Sequence, residues 1–333
     1  MRRGFLHPLL VALAVGGCAP ALQEPGTLTQ AARLDDTAFV TSDGATLKVQ
    51  AWGPQGQPQI APRAVILALH GFNDYRNAFA ESGKAWAEQG IQTYAYDQRG
   101  FGEAPDTGIW PGAALLARDA AEMARLLRAR YPEQKLFLLG ESMGAAVAVV
   151  AMAGSQPPPV DGVVLVAPAV WGRAFMPSLQ SDALAFLAHA MPWLPVSGRG
   201  TGRMPSDNIP MLRAQGSDPL VLKYNRIDMV WGLVNLMDDA QAAASRFDSS
   251  ALVLYGENEQ LIPKGPVDTF LQHFPREAAP RQRLAVYPRG FHMLLRDLDG
   301  DVVRQDIAAW IADRSAPLPS GNERPLHTDL AKE

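Results

Sequence analysis

Short apolar runs and longer stripes of apolar residues at helical spacing alternate along most of the chain. The runs fall near residues 47–52, 64–69, 91–96, 135–139, 162–167, 251–255 and 283–287. Several are almost continuous, the pattern of parallel strands covered on both faces. Helical spacing is clearest from Ala113 to Arg130, where Leu115, Leu116, Ala120, Met123, Leu126 and Leu127 share one side. Such alternation predicts an α/β fold on a mostly parallel, doubly wound sheet. The rhythm breaks over residues 170–245. Trp171, Phe186, Trp193 and Trp231 stand there among prolines and glycines, which predicts an inserted helical cap over the strand ends. No internal repeat is visible.

All of these elements lie within residues 37–313, read as one domain. Residues 18–36 and 314–333 lack periodicity and read as a tether and a flexible tail. With 333 residues, 47% hydrophobic and 19% charged, the chain can bury one large core. A formal net charge of -4 gives no broad basic face, so nucleic acid is not an expected partner.

The amino end, "MRRGFLHPLLVALAVGGCAP", has a positive start and a short apolar run from Leu9 to Val15. That run is far shorter than the roughly 18 to 20 residues a spanning helix needs, so it reads as an export signal. Val15-Gly16-Gly17-Cys18 resembles a bacterial lipoprotein signal, which implies removal of residues 1–17 and acylation of Cys18. A lipidated Cys18 would hold the protein on a membrane surface of the bacterial cell envelope. Ala19, where many lipoproteins kept in an inner membrane have aspartate, points to the outer membrane. The plainer reading is a secreted protein with an incidental cysteine; a lone cysteine cannot form an internal disulfide. Arg2-Arg3 suits a twin-arginine signal or the charged start of a general secretory one, and the export route stays open.

Between a strand-like run and an alanine-rich helix stands Gly140-Glu141-Ser142-Met143-Gly144, which fits G-x-S-x-G, the nucleophile elbow. Ser142 would sit on a strained turn with its hydroxyl at the top of the sheet, and the helix behind it would favour developing negative charge. A serine hydroxyl needs a base. Of six histidines, His7 is in the signal, His327 in the tail, His189 in the cap and His273 near a helix end. His292 follows the last strand in "RLAVYPRGFHMLL", the position expected for the base. His70 follows an early strand in "LHGFND" and reads as a brace for that loop. The amides of Phe72 and Met143 are the candidate oxyanion donors. Asp97-Gln98-Arg99-Gly100 reads as structural, fixing the loop after a strand. No His, Cys and carboxylate cluster has metal-ligand spacing.

Taken in order, "LHGFNDYRNAF", "YDQRGFGEA", "GESMGA", "YGENEQLIP" and "GFHMLL" resemble the monoacylglycerol lipase and lysophospholipase, serine aminopeptidase-like, group of α/β-hydrolases. The likeness covers residues 37–313, and "DPLVLKYN" at 218–225 looks like that group's cap segment. It implies an α/β-hydrolase fold with a helical cap, ester hydrolysis of small single-chain acyl substrates, a Ser-acid-His triad and no cofactor. One position departs from the group. Its acid is usually aspartate, whereas Gly256-Glu257-Asn258-Glu259-Gln260-Leu261-Ile262-Pro263 places Glu259 there. Glutamate is chemically adequate to hold the histidine tautomer and stabilise the imidazolium, its extra methylene requiring a slightly retracted backbone. Glu257 and Asp268 are the competing candidates. A proline iminopeptidase-like aminopeptidase would share fold and triad but need cap acids for the substrate amine; Asp182, Asp207, Asp218 and Asp228 are available by sequence. A noncatalytic envelope lipoprotein is the alternative from another class.

Overall fold

The seven apolar runs become neighbouring strands of one sheet. The computed structural model describes residues 19–54, 61–198 and 200–326. The signal segment, Cys18, His7 and His327 lie outside the described residues. The strands are β1 (Arg33–Leu34), β2 (Ala38–Val40), β3 (Thr46–Trp52), β4 (Ala64–Leu69), β5 (Ile91–Tyr96), β6 (Lys135–Glu141), β7 (Gly162–Val166), β8 (Pro195–Val196), β9 (Asn225–Arg226), β10 (Ala251–Gly256), β11 (Gln282–Tyr287) and β12 (Glu323–Arg324). The main sheet runs β1-β2-β3-β5-β4-β6-β7-β10-β11-β12. From β5 to β11 every pairing is parallel, while β1 to β3 and β12 pair antiparallel. Burial follows position. Central β4, β7 and β10 are buried at every residue, whereas β3 alternates exposed and buried side chains.

The helices are α1 (Ala80–Glu88), α2 (Ala113–Arg130), α3 (Met143–Met152), α4 (Ser178–Ala190), α5 (Ile209–Ser217), α6 (Ile227–Ala243), α7 (Lys264–Gln272) and α8 (Gly300–Ala312). Two cores form, one on each sheet face. Trp86 of α1 and Val303, Ile307 and Trp310 of α8 pack with Ile66, Phe137 and Leu252. Side chains of α2, α3, α6 and α7 pack with Leu67, Leu138 and Val253 on the other face. Helix α3 is buried on almost every side, which accounts for its alanine and valine composition. The cap interval contains α4, α5 and α6, with β8 and β9 paired between them.

Two expectations fail. Residues from Ala21 onward are not a free tether: the Ala21 amide donates to Asp228 at 2.9 Å, and Gln23, 8% exposed, donates its side-chain amide to the Ile109 carbonyl at 2.8 Å. This docking uses backbone groups and one buried amide, so it leaves no apolar period in the sequence. Nor is the tail loose as far as residue 326. Strand β12 covers the edge of β11, and Arg283 donates to the carbonyls of Arg314 and Ala316 at 2.9 and 2.8 Å. A two-residue strand is too short to show alternation, yet it satisfies an edge that would otherwise be unpaired.

Candidate active site

Strand β6 delivers Ser142 to the start of α3 through a turn that demands small neighbours. A Cβ on Gly140 would lie 2.3 Å from the Gly144 carbonyl oxygen, and one on Gly144 would lie 2.0 Å from that of Leu69. Strand and helix can cross this closely only with glycine at both positions. Ser142 itself has φ 55 and ψ -115, a sparsely populated conformation held by the surrounding structure. Its amide donates to Val166 at 2.8 Å, and its carbonyl accepts from Ala145 at 3.0 Å and Ala169 at 3.1 Å.

The half-buried hydroxyl of Ser142 donates to His292 Nε2 at 2.9 Å. On the far side of the ring, Nδ1 donates to Glu259 Oε2 at 2.5 Å. The Glu259 side chain is fully buried, and its other oxygen accepts the amides of Leu261 at 2.5 Å and Ile262 at 3.1 Å. The turn after β10 therefore aims one carboxylate oxygen at the backbone and the other at the histidine. Burial alone would raise the Glu259 carboxyl, but His292 and these two amides outweigh it and hold the pKa below the ordinary carboxylate value. Burial pushes His292 down, and the adjacent Glu259 more than reverses this, with Glu141 adding to the rise and Arg296 opposing it; the net shift is upward. Of the competing acids, Glu257 is exposed and Asp268 sits in α7.

The turn after β4 closes the site. A Cβ on Gly71 would lie 3.4 Å from that of Ser142, so the Gly71-Phe72 backbone passes directly beside the nucleophile. Met143 is the first residue of α3, and its amide is one of the donors that no intrahelical acceptor can satisfy. Phe72, the other candidate donor, follows Gly71 in the turn after β4. His70 is buried and holds this turn: Nε2 accepts from the Gln98 amide at 2.9 Å, which leaves the proton on Nδ1 to donate to the Gly71 carbonyl at 2.9 Å. Its geometry is that of a brace. Arg99 likewise faces inward, donating to Asp119 at 2.6 Å and to Asp43 at 2.6 Å. Asp97 accepts the amides of Arg76 at 2.9 Å and Glu103 at 2.8 Å.

Sequence reasoning passed over the residues that support the histidine loop. Asp297 accepts from Phe291, next to His292, at 2.7 Å, and from the cap hydroxyl of Ser206 at 2.6 Å. Arg296 reaches Asp74 at 2.7 Å and Glu141 at 3.0 Å. The only sequence signal was their closeness to recognised motifs: Asp74 in "LHGFND", Glu141 in "GESMG" and Arg296 four residues after His292. Among the described residues no group of three or more His, Cys, Asp or Glu side chains is placed to hold a metal ion, and no helix is long and apolar enough to cross a membrane.

Residues 60–299 match the family model described as serine aminopeptidase, S33. The chain is 25% identical to a monoglyceride lipase of Rattus norvegicus over 286 residues, spanning 84% of this chain and 90% of that protein. A monoacylglycerol lipase of Mycolicibacterium smegmatis is 23% identical over 283 residues, covering 82% of this chain and 95% of its own. Among solved structures, a soluble variant of the monoglyceride lipase of Saccharomyces cerevisiae superposes with a TM-score of 0.69 at 18% identity, over 89% of this chain and 99% of that one. A monoacylglycerol lipase of Paleococcus ferrophilus gives 0.64 at 20% identity, over 81% and 99%. These structural likenesses extend through the sheet and its flanking helices, the α/β-hydrolase fold.

Proposed function

Because the chain belongs to the serine aminopeptidase S33 family, we propose that it hydrolyses carboxylic esters of single-chain lipids, of the monoacylglycerol or lysophospholipid type, through an acyl-enzyme on Ser142. The observation that carries this reading is the connected line of Ser142, His292 and Glu259 at 2.9 and 2.5 Å. Ser142 Oγ attacks the ester carbonyl while His292 Nε2 takes its proton, and the Phe72 and Met143 amides receive the oxyanion. Collapse of the tetrahedral intermediate breaks the bond to the alcohol, which leaves with the proton held by His292. Water then attacks the acyl-enzyme, its proton passing to His292, and the fatty acid departs as Oγ regains a proton. Acids and bases of this chain balance each step, and the mechanism calls for no cofactor.

Three of the four cap acids that an amine site could use are already hydrogen-bonded within the protein, which weighs against an aminopeptidase. Asp228 is buried against Arg226 and the Ala21 amide, Asp218 accepts the Tyr75 hydroxyl at 2.6 Å, and Asp207 accepts the Leu298 amide at 2.8 Å. Asp182 is exposed on α4. The relatives named for monoacylglycerol hydrolysis favour the same substrate class, and the assembled triad weighs against a noncatalytic role. A panel of monoacylglycerols, lysophospholipids, short esters and aminoacyl amides tests this: turnover of the lipid esters is expected, and cleavage of the amides alone would replace the proposal with an aminopeptidase.

His292 must be neutral to accept the serine proton, so activity rises as it deprotonates. Because Glu259 holds its pKa above 6.5, the acid limb of kcat/KM against pH should be centred above that ordinary value. Hydrolysis rates of an activated ester across the acid and neutral range check this, and a limb centred at or below 6.5 would contradict it.

The location proposed is a bacterial envelope membrane, with Cys18 as the lipidated anchor and the outer membrane favoured by Ala19. Support comes from the signal-like sequence ending at Cys18 and from the docking of Ala21 on Asp228. Only two residues stand between Cys18 and Ala21, and three extended residue steps reach at most about 11 Å, so an acyl anchor would keep the body close to the bilayer. Cys18→Ser should release the protein from membranes in flotation assays and leave ester hydrolysis unchanged. A wild-type protein that is soluble with an unmodified amino terminus would overturn the anchor.

A further inference from the structure

Three segments that carry the reaction meet at one buried side chain the mechanism does not use. Arg296 lies four residues beyond His292, in the loop that presents the base. Its Nη1 donates to Asp74 Oδ2 at 2.7 Å, and its Nη2 to Glu141 Oε2 at 3.0 Å. Asp74 is two residues after Phe72, and Glu141 immediately precedes Ser142. The cap adds a fourth segment, since Gln215 of α5 donates to the same oxygen of Asp74 at 2.8 Å. Side chains of Asp74, Glu141 and Arg296 are each less than 10% exposed.

Stability alone does not account for this arrangement. Two carboxylates share one guanidinium, and among the described residues Glu141 Oε1 and Arg296 Nε make no hydrogen bond. Buried ionic groups left partly unsatisfied carry a desolvation penalty that their attraction need not offset, so they are poor candidates for a stabilising device. What they do supply is direction, because each hydrogen bond fixes one segment relative to another. Glu141 is adjacent to the strained Ser142, so a shift of its backbone moves the nucleophile. Asp74 closes the turn that begins at Gly71, accepting the Tyr75 amide at 2.9 Å while its own amide donates to the Gly71 carbonyl at 3.3 Å.

We propose that Arg296 is a positioning residue for ester hydrolysis, its guanidinium holding the nucleophile turn, the Gly71–Asp74 turn and the histidine loop in one register. This rests on the serine hydrolase reading above. The clamp also sets part of the electrostatic field at His292. Charged groups around that ring are Glu259 from the loop after β10, Glu141 at the end of β6, and Arg296 and Asp297 on its own loop. Glu141 favours the protonated ring and Arg296 disfavours it, so the two carry opposite signs.

The test compares Arg296→Met, Arg296→Lys, Glu141→Gln and the uncharged triple variant Asp74→Asn/Glu141→Gln/Arg296→Met. Each is measured for folding by thermal melting, for the rate of labelling by a fluorophosphonate, and for the pH profile of a short activated ester. Losing register should slow labelling by about tenfold to a hundredfold at neutral pH. The acid limb should move up in Arg296→Met and down in Glu141→Gln. Arg296→Lys keeps the charge and should leave the limb in place while still slowing labelling, since one ammonium cannot span both carboxylates. Should Arg296→Met fail to fold, the triple variant decides: folded and slow supports the clamp, whereas folded and labelled at the wild-type rate overturns it. Unmoved acid limbs in both charge variants would overturn it as well. A wild-type protein that takes no label would instead sink the hydrolase reading, which separates the two failures.

Discussion

Ser142→Ala should lower hydrolysis of a short activated ester by about a millionfold, the scale at which loss of a triad nucleophile acts in an unrelated serine hydrolase. The expectation follows from the site's construction. Ser142 is the hydroxyl that donates to His292 Nε2, and the Phe72 and Met143 amides have no covalent chemistry of their own to offer. Whatever turnover remains would come from those amides and from substrate binding. Folding should hardly change, because the turn is fixed by the Ser142 backbone, through Val166, Ala145 and Ala169, rather than by the side chain. Removing one hydrogen bond should cost about 1 kcal/mol or less. Initial rates with a melting curve on the same sample check both parts. Activity within tenfold of wild type would place the nucleophile elsewhere.

Glu259→Gln should lower turnover by about ten thousandfold, by analogy with the acid-to-amide change in a serine protease triad. Here the structure says why. Glu259 Oε1 accepts two backbone amides, so a glutamine at this position must point its carbonyl at Leu261 and Ile262. Its NH2 group then faces His292 Nδ1 and donates to it. The ring proton is forced onto Nε2, the atom that must accept the proton of Ser142, and the imidazolium loses its counter-charge. The acid limb should fall at the same time, since the group that raises His292 is gone. Glu259→Asp should keep partial activity, with a shorter side chain on a turn adapted to glutamate. Glu257→Gln is the control: its exposed side chain makes no approach to the histidine, and rates should stay within about twofold of wild type. Collapse of Glu257→Gln with Glu259→Gln unaffected would reassign the acid.

Much of the fold was legible because a doubly covered parallel sheet leaves a strong imprint. All six positions of Ala64–Leu69 and of Ala251–Gly256 are buried, so selection for apolar side chains acts on each one. The same holds for the elbow, where glycines at 140 and 144 and the serine between them meet steric demands that few residues can. His292 was expected from its place after the last strand, and Glu259 from the family resemblance with Glu257 and Asp268 left open; the structure brings both to Ser142 in one hydrogen-bonded line. What stayed hidden relies on polar groups across long sequence separations. Ala21 bonds to Asp228, Arg283 to Arg314 and Ala316, and Arg296 to Asp74 and Glu141, each through single hydrogen bonds that impose no period on the chain. Glu141 illustrates the difference. As a variable position inside G-x-S-x-G it carries no expectation, yet its carboxylate is buried and aimed at an arginine 155 residues away. The short strands β1, β2 and β12 escape for a related reason, being two or three residues long.

Cap chemistry stands between these cases. Aromatic residues of the interval 170–245 marked a break in the alternation, but not which of them would be covered. Trp171 packs against the core with its indole donating to the Phe175 carbonyl at 3.3 Å, whereas Trp193 is 55% exposed.

Competitive active-site labelling is the sharpest check that Ser142 is the nucleophile of an enzyme for single-chain lipid esters. The protein is treated with a fluorophosphonate, with and without a prior excess of monoacylglycerol, and the adduct is located by peptide mass spectrometry. One adduct is expected, on the peptide carrying Ser142, formed more slowly while monoacylglycerol is being turned over and absent from Ser142→Ala. An adduct on another residue, persistence of labelling in Ser142→Ala, or a labelling rate indifferent to monoacylglycerol would contradict it.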